Sequence, residues 1–95
     1  MEAIIAEIQL LINQVQGLPL NAGQINSLTV KLENAINQLS KDPPRVNAAC
    51  GLLKAFINEV EAFIQSNNLT EAEGQPLIDQ ATDIRTQLNC HQGEK

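Results

Sequence analysis

The chain has 95 residues, enough for one domain with a single modest core. Its net charge is −5, and its six Lys and Arg are scattered at Lys31, Lys41, Arg45, Lys54, Arg85 and Lys95, which argues against nucleic acid and against an anionic membrane surface as partners. Two Phe and no Trp or Tyr leave little aromatic surface for stacking on sugars.

The first helix is expected over about 2–16. Ile4, Ile8, Leu11, Val15 and Leu18 recur at helical spacing, and Ile5 and Ile12 widen the stripe. Gly17 suits a C-cap, and Pro19 blocks continuation. Residues 1–15 carry Glu2 and Glu7 and no basic start, unlike a secretion signal. Met1 leading directly into helical pattern reads either as a true start or as an excised domain with an added Met, the second being favoured.

The second helix is expected over 21–39. Asn21 and Gln24 have the spacing of a capping box, and Ile25, Leu28, Leu32, Ala35 or Ile36, and Leu39 give its apolar face. The third is expected over 43–66, with Asp42 as cap and Pro43 in the first helical position. It carries two adjacent stripes. One is Val46, Cys50, Leu53, Ile57, Val60 and Ile64; the other is Ala49, Leu52, Phe56 and Phe63.

Asn67-Asn68 should end the third helix, since Asn tolerates the left-handed conformation. Thr70 and Glu73 form a second capping box and open a fourth helix over 70–89, with Leu77, Ala81, Ile84 and Leu88 inward. Gly74 and Pro76 leave its start open: either the helix is kinked, or one turn precedes a helix that begins at Pro76. Residues 91–95 read as a tail.

The expected fold is all-α: a small antiparallel four-helix bundle formed by residues 1–95 as one domain, alternatively described as two αα-hairpins. Short connections make consecutive helices antiparallel neighbours. The expected core is Leu53, Phe56, Ile57, Val60, Phe63 and Ile64. The segment Leu11-Ile12-Asn13-Gln14-Val15 is similar to Phe56-Ile57-Asn58-Glu59-Val60, so the two hairpins either repeat one unit or share only composition.

Cys50 and Cys90 are the only cysteines. In an antiparallel pair turning near Asn68-Leu69, Cys50 lies opposite about Gln87, and Cys90 falls about 4–5 Å further along the axis. A disulfide fits that geometry and would imply an oxidising setting. The alternative is a small core residue and a free thiol on the tail. With one His beside Cys90, the pair leaves a zinc tetrahedron short of ligands, so no metal and no cofactor is expected.

Catalytic chemistry is not expected either. His91 is the only His and falls in the tail. The acid pairs Glu59 with Glu61, Glu71 with Glu73, and Asp79 with Asp83 read as solvated helix faces. Asn68-Leu69-Thr70 is a glycosylation sequon, read as a chance occurrence. No apolar run is long enough for a membrane span.

The runs Leu28-Thr29-Val30-Lys31-Leu32-Glu33-Asn34-Ala35 and Ala55-Phe56-Ile57-Asn58-Glu59-Val60-Glu61-Ala62, followed by Leu69-Thr70 opening a last helix rich in Ala, Leu and Ile, resemble the FIMAH domain of bacterial extracellular multidomain proteins. The resemblance covers roughly Ile5 to Leu88. It implies a non-catalytic accessory module of a larger secreted or surface protein, acting as a spacer, stabilising cap or docking domain. It supplies no catalytic residues to carry over.

The implied partners are other domains of a parent protein, or an extracellular protein or glycan; the isolated chain is expected to be monomeric and not inserted in a membrane. One alternative is a glycan- or cell-wall-binding module using Asn13, Gln14, Asn34, Asn37, Gln38, Asn58 and Gln65. A further one is a helical carrier of an apolar ligand, which needs an internal cavity of at least a few hundred Å³.

Overall fold

A computed structural model describes residues 1–90. They form four helices: α1 Glu2–Gln16, α2 Ala22–Leu39, α3 Val46–Gln65 and α4 Glu71–Gln87. Each helix packs on its neighbour in the chain, and α1 against α4 closes the ring. This is the expected antiparallel bundle, 39 × 25 × 19 Å in extent.

Local chemistry explains most of the helix ends. Asn21 accepts from the Gln24 amide at 2.8 Å while Gln24 accepts from the Asn21 amide at 3.1 Å. Thr70 and Glu73 make the same reciprocal pair at 3.1 and 2.9 Å. Each box satisfies donors that a helix start leaves without intrahelical partners. At the end of α3, Asn67 takes a φ of 67°. The Asn68 amide then donates to the Phe63 carbonyl and the Asn67 amide to the Ile64 carbonyl, which is a Schellman motif. Gly17 caps α1 at a φ of −90°, so the left-handed freedom of glycine is not used there.

The third helix starts later than expected. Pro43 and Pro44 lie outside it, Arg45 occupies the cap position without a side-chain bond, and Val46 is the first helical residue. A residue before proline is held out of the helical region, and Pro43 itself precedes Pro44. The pair therefore delays the helix instead of opening it. The Asp42–Pro43 peptide bond is cis, and the Arg45 amide donates back to the Gln38 carbonyl at 2.9 Å, folding the connection onto the last turn of α2.

The fourth helix is continuous from Glu71 to Gln87, with Pro76 inside it. It is neither a lone turn followed by a break nor a helix begun at Pro76. Its capping box fixes the first turn, and Gly74 seats that turn against α3.

Buried side chains from all four helices form one cluster: Ile8, Leu11, Ile12 and Val15; Leu28, Leu32, Ala35 and Leu39; Ala49, Cys50, Leu53, Phe56 and Val60; and Leu77, Ile78, Ala81, Ile84 and Leu88, with Leu69 from the last loop. Of the expected core, Leu53, Phe56 and Val60 are fully buried, whereas Ile57, Phe63 and Ile64 are half-buried. Phe63 and Ile64 lie in the last turns of α3, at the end of the bundle, where fewer elements cover them. Ile57 flanks a buried face centred on Phe56. The core centre is thus nearer the middle of α3 than the stripes suggested. Thr29 is buried too, and its hydroxyl donates to the Asn26 carbonyl at 3.2 Å, leaving no unpaired donor there.

The hairpins match in register. Leu28, Thr29, Leu32, Ala35 and Leu39 of α2 correspond to Leu77, Ile78, Ala81, Ile84 and Leu88 of α4 at one constant spacing, which also relates the caps Asn21 and Thr70. Ile8, Leu11 and Val15 correspond to Leu53, Phe56 and Val60 at a spacing shorter by about one turn. Two like αα-hairpins therefore describe most of the core; Ile12, Ala49, Cys50 and Leu69 fall outside the correspondence.

Two glycines inside helices make a paired prediction. A Cβ on Gly74 would sit 2.6 Å from Cδ1 and 2.8 Å from Cγ1 of Ile64, whereas one on Gly51 meets nothing within 4 Å. Gly51→Ala should stabilise by about 0.5–1 kcal/mol through helix propensity. Gly74→Ala gains the same propensity but must displace Ile64, so it should be destabilising by about 1 kcal/mol net. Urea midpoints of the two variants should move in opposite directions, and a shift of the same sign would contradict the close α3–α4 approach.

Candidate functional site

The cysteines are joined. Cys50, fully buried on α3, and Cys90, just past α4, form a disulfide with Cα atoms 5.7 Å apart. The end of α4 explains the reach. Asn89 takes a φ of 63°, the Cys90 amide donates to the Arg85 carbonyl, and the Asn89 amide donates to the Thr86 carbonyl, both at 3.0 Å. This second Schellman motif turns the chain back toward the bundle. Cys90 is the residue just after the left-handed Asn89, and from there its side chain reaches across to Cys50 on α3. The disulfide ties the end of α4 to the first turns of α3.

A polar cluster couples α2 to α3. Lys31 Nζ donates to Glu59 Oε1 at 2.8 Å, Ser27 Oγ donates to Glu59 Oε2 at 2.7 Å, and Lys31 also reaches Ser27 Oγ at 3.2 Å. The Lys31 and Glu59 side chains are 28% and 22% exposed. Ser and Lys one turn apart invite a nucleophile–base reading, but the ammonium is paired with a carboxylate and the hydroxyl proton points to that same carboxylate. The arrangement works as a clasp. Reading the basic residues as scattered, and Glu59 only as a neighbour of Glu61, missed it. The signal was the Ser27/Lys31 spacing opposite a carboxylate on the neighbouring helix, which becomes visible only once α2 and α3 are in register.

Two shallow grooves open on the surface. The α1–α2 groove, about 350 Å³, is lined by Gln9, Ile12, Glu33, Ile36 and Asn37. The α3–α4 groove, about 330 Å³, is lined by Glu61, Ile64, Gln65, Glu71, Gln75 and Ile78. Both face solvent and lie outside the core filled by Phe56, Leu11, Leu28 and Leu53, so neither is the enclosed cavity that an apolar carrier needs. The Asn and Gln residues singled out for glycan contact are spread over three helices; Asn37 lines the first groove and Gln65 the second.

The remaining candidates divide between structure and surface. Glu73 serves the capping box, Asp79 accepts from Gln75 at 3.0 Å, and Asp83 accepts from Gln87 at 3.0 Å. In the Asn68-Leu69-Thr70 sequon, Leu69 is buried, Thr70 caps α4 and the Asn68 amide group donates to Ser66 Oγ at 2.7 Å. His91 lies outside the described residues. Among the described residues, no three His, Cys, Asp or Glu gather as a metal site would require, and no helix is long and apolar enough to cross a membrane.

Searches of the chain against known family models, curated proteins and solved structures find no match.

Proposed function

We propose that this chain is a non-catalytic accessory module of a larger bacterial protein that works outside the cytosol, where it spaces, stabilises or docks neighbouring domains. The observation that carries the reading is the Cys50–Cys90 disulfide. A domain of this size has little stability to spare, and a cross-link between the end of its last helix and a fully buried position on α3 is useful only where thiols stay oxidised. The polar groups also favour a scaffold. Capping boxes and Schellman turns fix the helix ends, and the Ser27–Lys31–Glu59 clasp holds α2 to α3. The resemblance to the FIMAH domain, carried by segments that include Lys31 and Glu59, supports the same assignment.

A glycan-binding module is the second reading. The α1–α2 groove favours it, because Gln9, Glu33 and Asn37 present hydrogen-bonding groups above an Ile12–Ile36 floor.

An exported fusion tests both. Placed behind an unrelated secreted hydrolase, the module should leave the reporter's kcat/KM unchanged and emerge without a free thiol. It should also stay in solution when peptidoglycan or chitin is sedimented. Export with both thiols free contradicts the module reading. Co-sedimentation that Asn37→Ala abolishes assigns the chain to the glycan reading.

A further inference from the structure

The charges are unevenly placed. Between Lys54 and Arg85 the sequence contains Glu59, Glu61, Glu71, Glu73, Asp79 and Asp83 and not one Lys, Arg or His. Glu59 is neutralised by Lys31 from α2, and Glu73 is used by its capping box. The carboxylates of Glu61 and Glu71 are exposed and hold no hydrogen bond or ion pair among the described residues. These two acids flank the α3–α4 groove, one from each helix.

The groove has the parts of a small docking cleft. Glu61, Ile64 and Gln65 lie on one face of α3, and Glu71, Gln75 and Ile78 on one face of α4. Ile64 and Ile78 supply an apolar floor, and Gly74 lets Ile64 lie against the α4 backbone. The groove is open to solvent and has room for one or two side chains. An apolar floor between unpaired carboxylates is complementary to an aliphatic side chain flanked by cations.

We infer that the α3–α4 groove is a docking surface for a polypeptide segment of another protein or domain, one that inserts an aliphatic side chain over Ile64 and Ile78 while Lys or Arg on either side meets Glu61 and Glu71. The inference rests on the module reading and names the partner chemistry and the surface. Charge steers the encounter, so association should be fast at low salt and should weaken as salt rises.

The test uses the oxidised, isotope-labelled chain and three synthetic twelve-residue peptides, made of Leu-Lys, Ser-Lys and Leu-Glu repeats. In amide spectra the Leu-Lys peptide should shift Ile64, Gln65, Gln75 and Ile78 most. The Ser-Lys peptide should bind more weakly, and the Leu-Glu peptide should not bind. Replacing both rim acids, Glu61→Gln with Glu71→Gln, should weaken Leu-Lys binding about tenfold, the size expected for two solvent-exposed charge pairs. Both side chains are exposed, and an unchanged spectrum elsewhere in the variant shows that the fold is kept. No shift at millimolar Leu-Lys peptide overturns the inference. So do shifts spread over Glu2, Glu7 and Asp83 that the double variant leaves unchanged, because they report only diffuse charge attraction. Shifts centred on Gln9 and Asn37 overturn this groove while leaving the docking reading intact, whereas free thiols in the exported fusion would remove the module reading whatever the peptides do.

Discussion

Phe56→Ala should lower stability by about 3–5 kcal/mol, the cost of emptying a large, fully enclosed core position. Phe56 is the largest of the fully buried side chains. It lies on the middle of α3, the helix that packs against both α2 and α4, so no single helix can shift to fill the space. With a urea slope of about 1–1.5 kcal/mol per molar for a domain this small, the unfolding midpoint should fall by at least ~2 M. Phe63→Ala is the internal control. Phe63 is half-buried in the last turns of α3, so its loss should cost roughly half as much. Equal shifts for the two variants, or a Phe56 shift below ~0.5 M, would mean that the core is not centred where the structure puts it.

Opening the disulfide should cost a similar amount by a different route. Cys50 and Cys90 are 40 residues apart in the chain, and closing a loop of that length removes unfolded-state entropy worth about 4 kcal/mol at 25 °C. For a domain of this length, thermal melting should then fall by roughly 15–30 °C on reduction. Cys90→Ser separates the cross-link from the packing. It removes the bond at a half-buried position and leaves the fully buried Cys50 side chain in place. Its melt without reductant should overlay that of the reduced wild type. Reduction that leaves the wild-type melt unchanged would contradict a structural role for the bond. A drop of this size is a large share of the stability of a small domain, which links the cross-link to the compartment proposed above.

Much of this fold is legible in the sequence because the local signals agree with the global pattern. Asn21 with Gln24 and Thr70 with Glu73 mark two helix starts, and both boxes form with reciprocal hydrogen bonds. The stripes on α1 and α2 fall on the buried faces, and Asn67 takes the left-handed turn expected there. The disagreements have identifiable causes. Pro43-Pro44 looks like a helix opening if only the first proline is weighed, yet the second holds the first out of the helix. Pro76 looks like a break, but a fixed capping box and the Gly74–Ile64 seat carry the helix through it. On α3 two adjacent stripes were both plausible, and only the positions of its neighbours α2 and α4 decide that Phe56 is central and that Ile57, Phe63 and Ile64 form its margin.

The candidate sites are less legible, because each is made by two helices at once. The cysteine pair could be placed from hairpin geometry, while the turn at Asn89 that completes the reach could not. The Ser27–Lys31–Glu59 clasp and the Glu61–Glu71 groove need the relative rotation of two helices, which no single periodicity contains.

The most direct test of the account is a thiol count on the exported chain. The protein is alkylated under denaturing conditions with and without prior reduction, and its intact mass is measured. A cross-linked module working outside the cytosol should take up no alkyl group before reduction and two after it, as a monomer. Two alkyl groups without reductant would leave the helical bundle standing, but would contradict both the stapled hairpin and the extracytosolic role built on it.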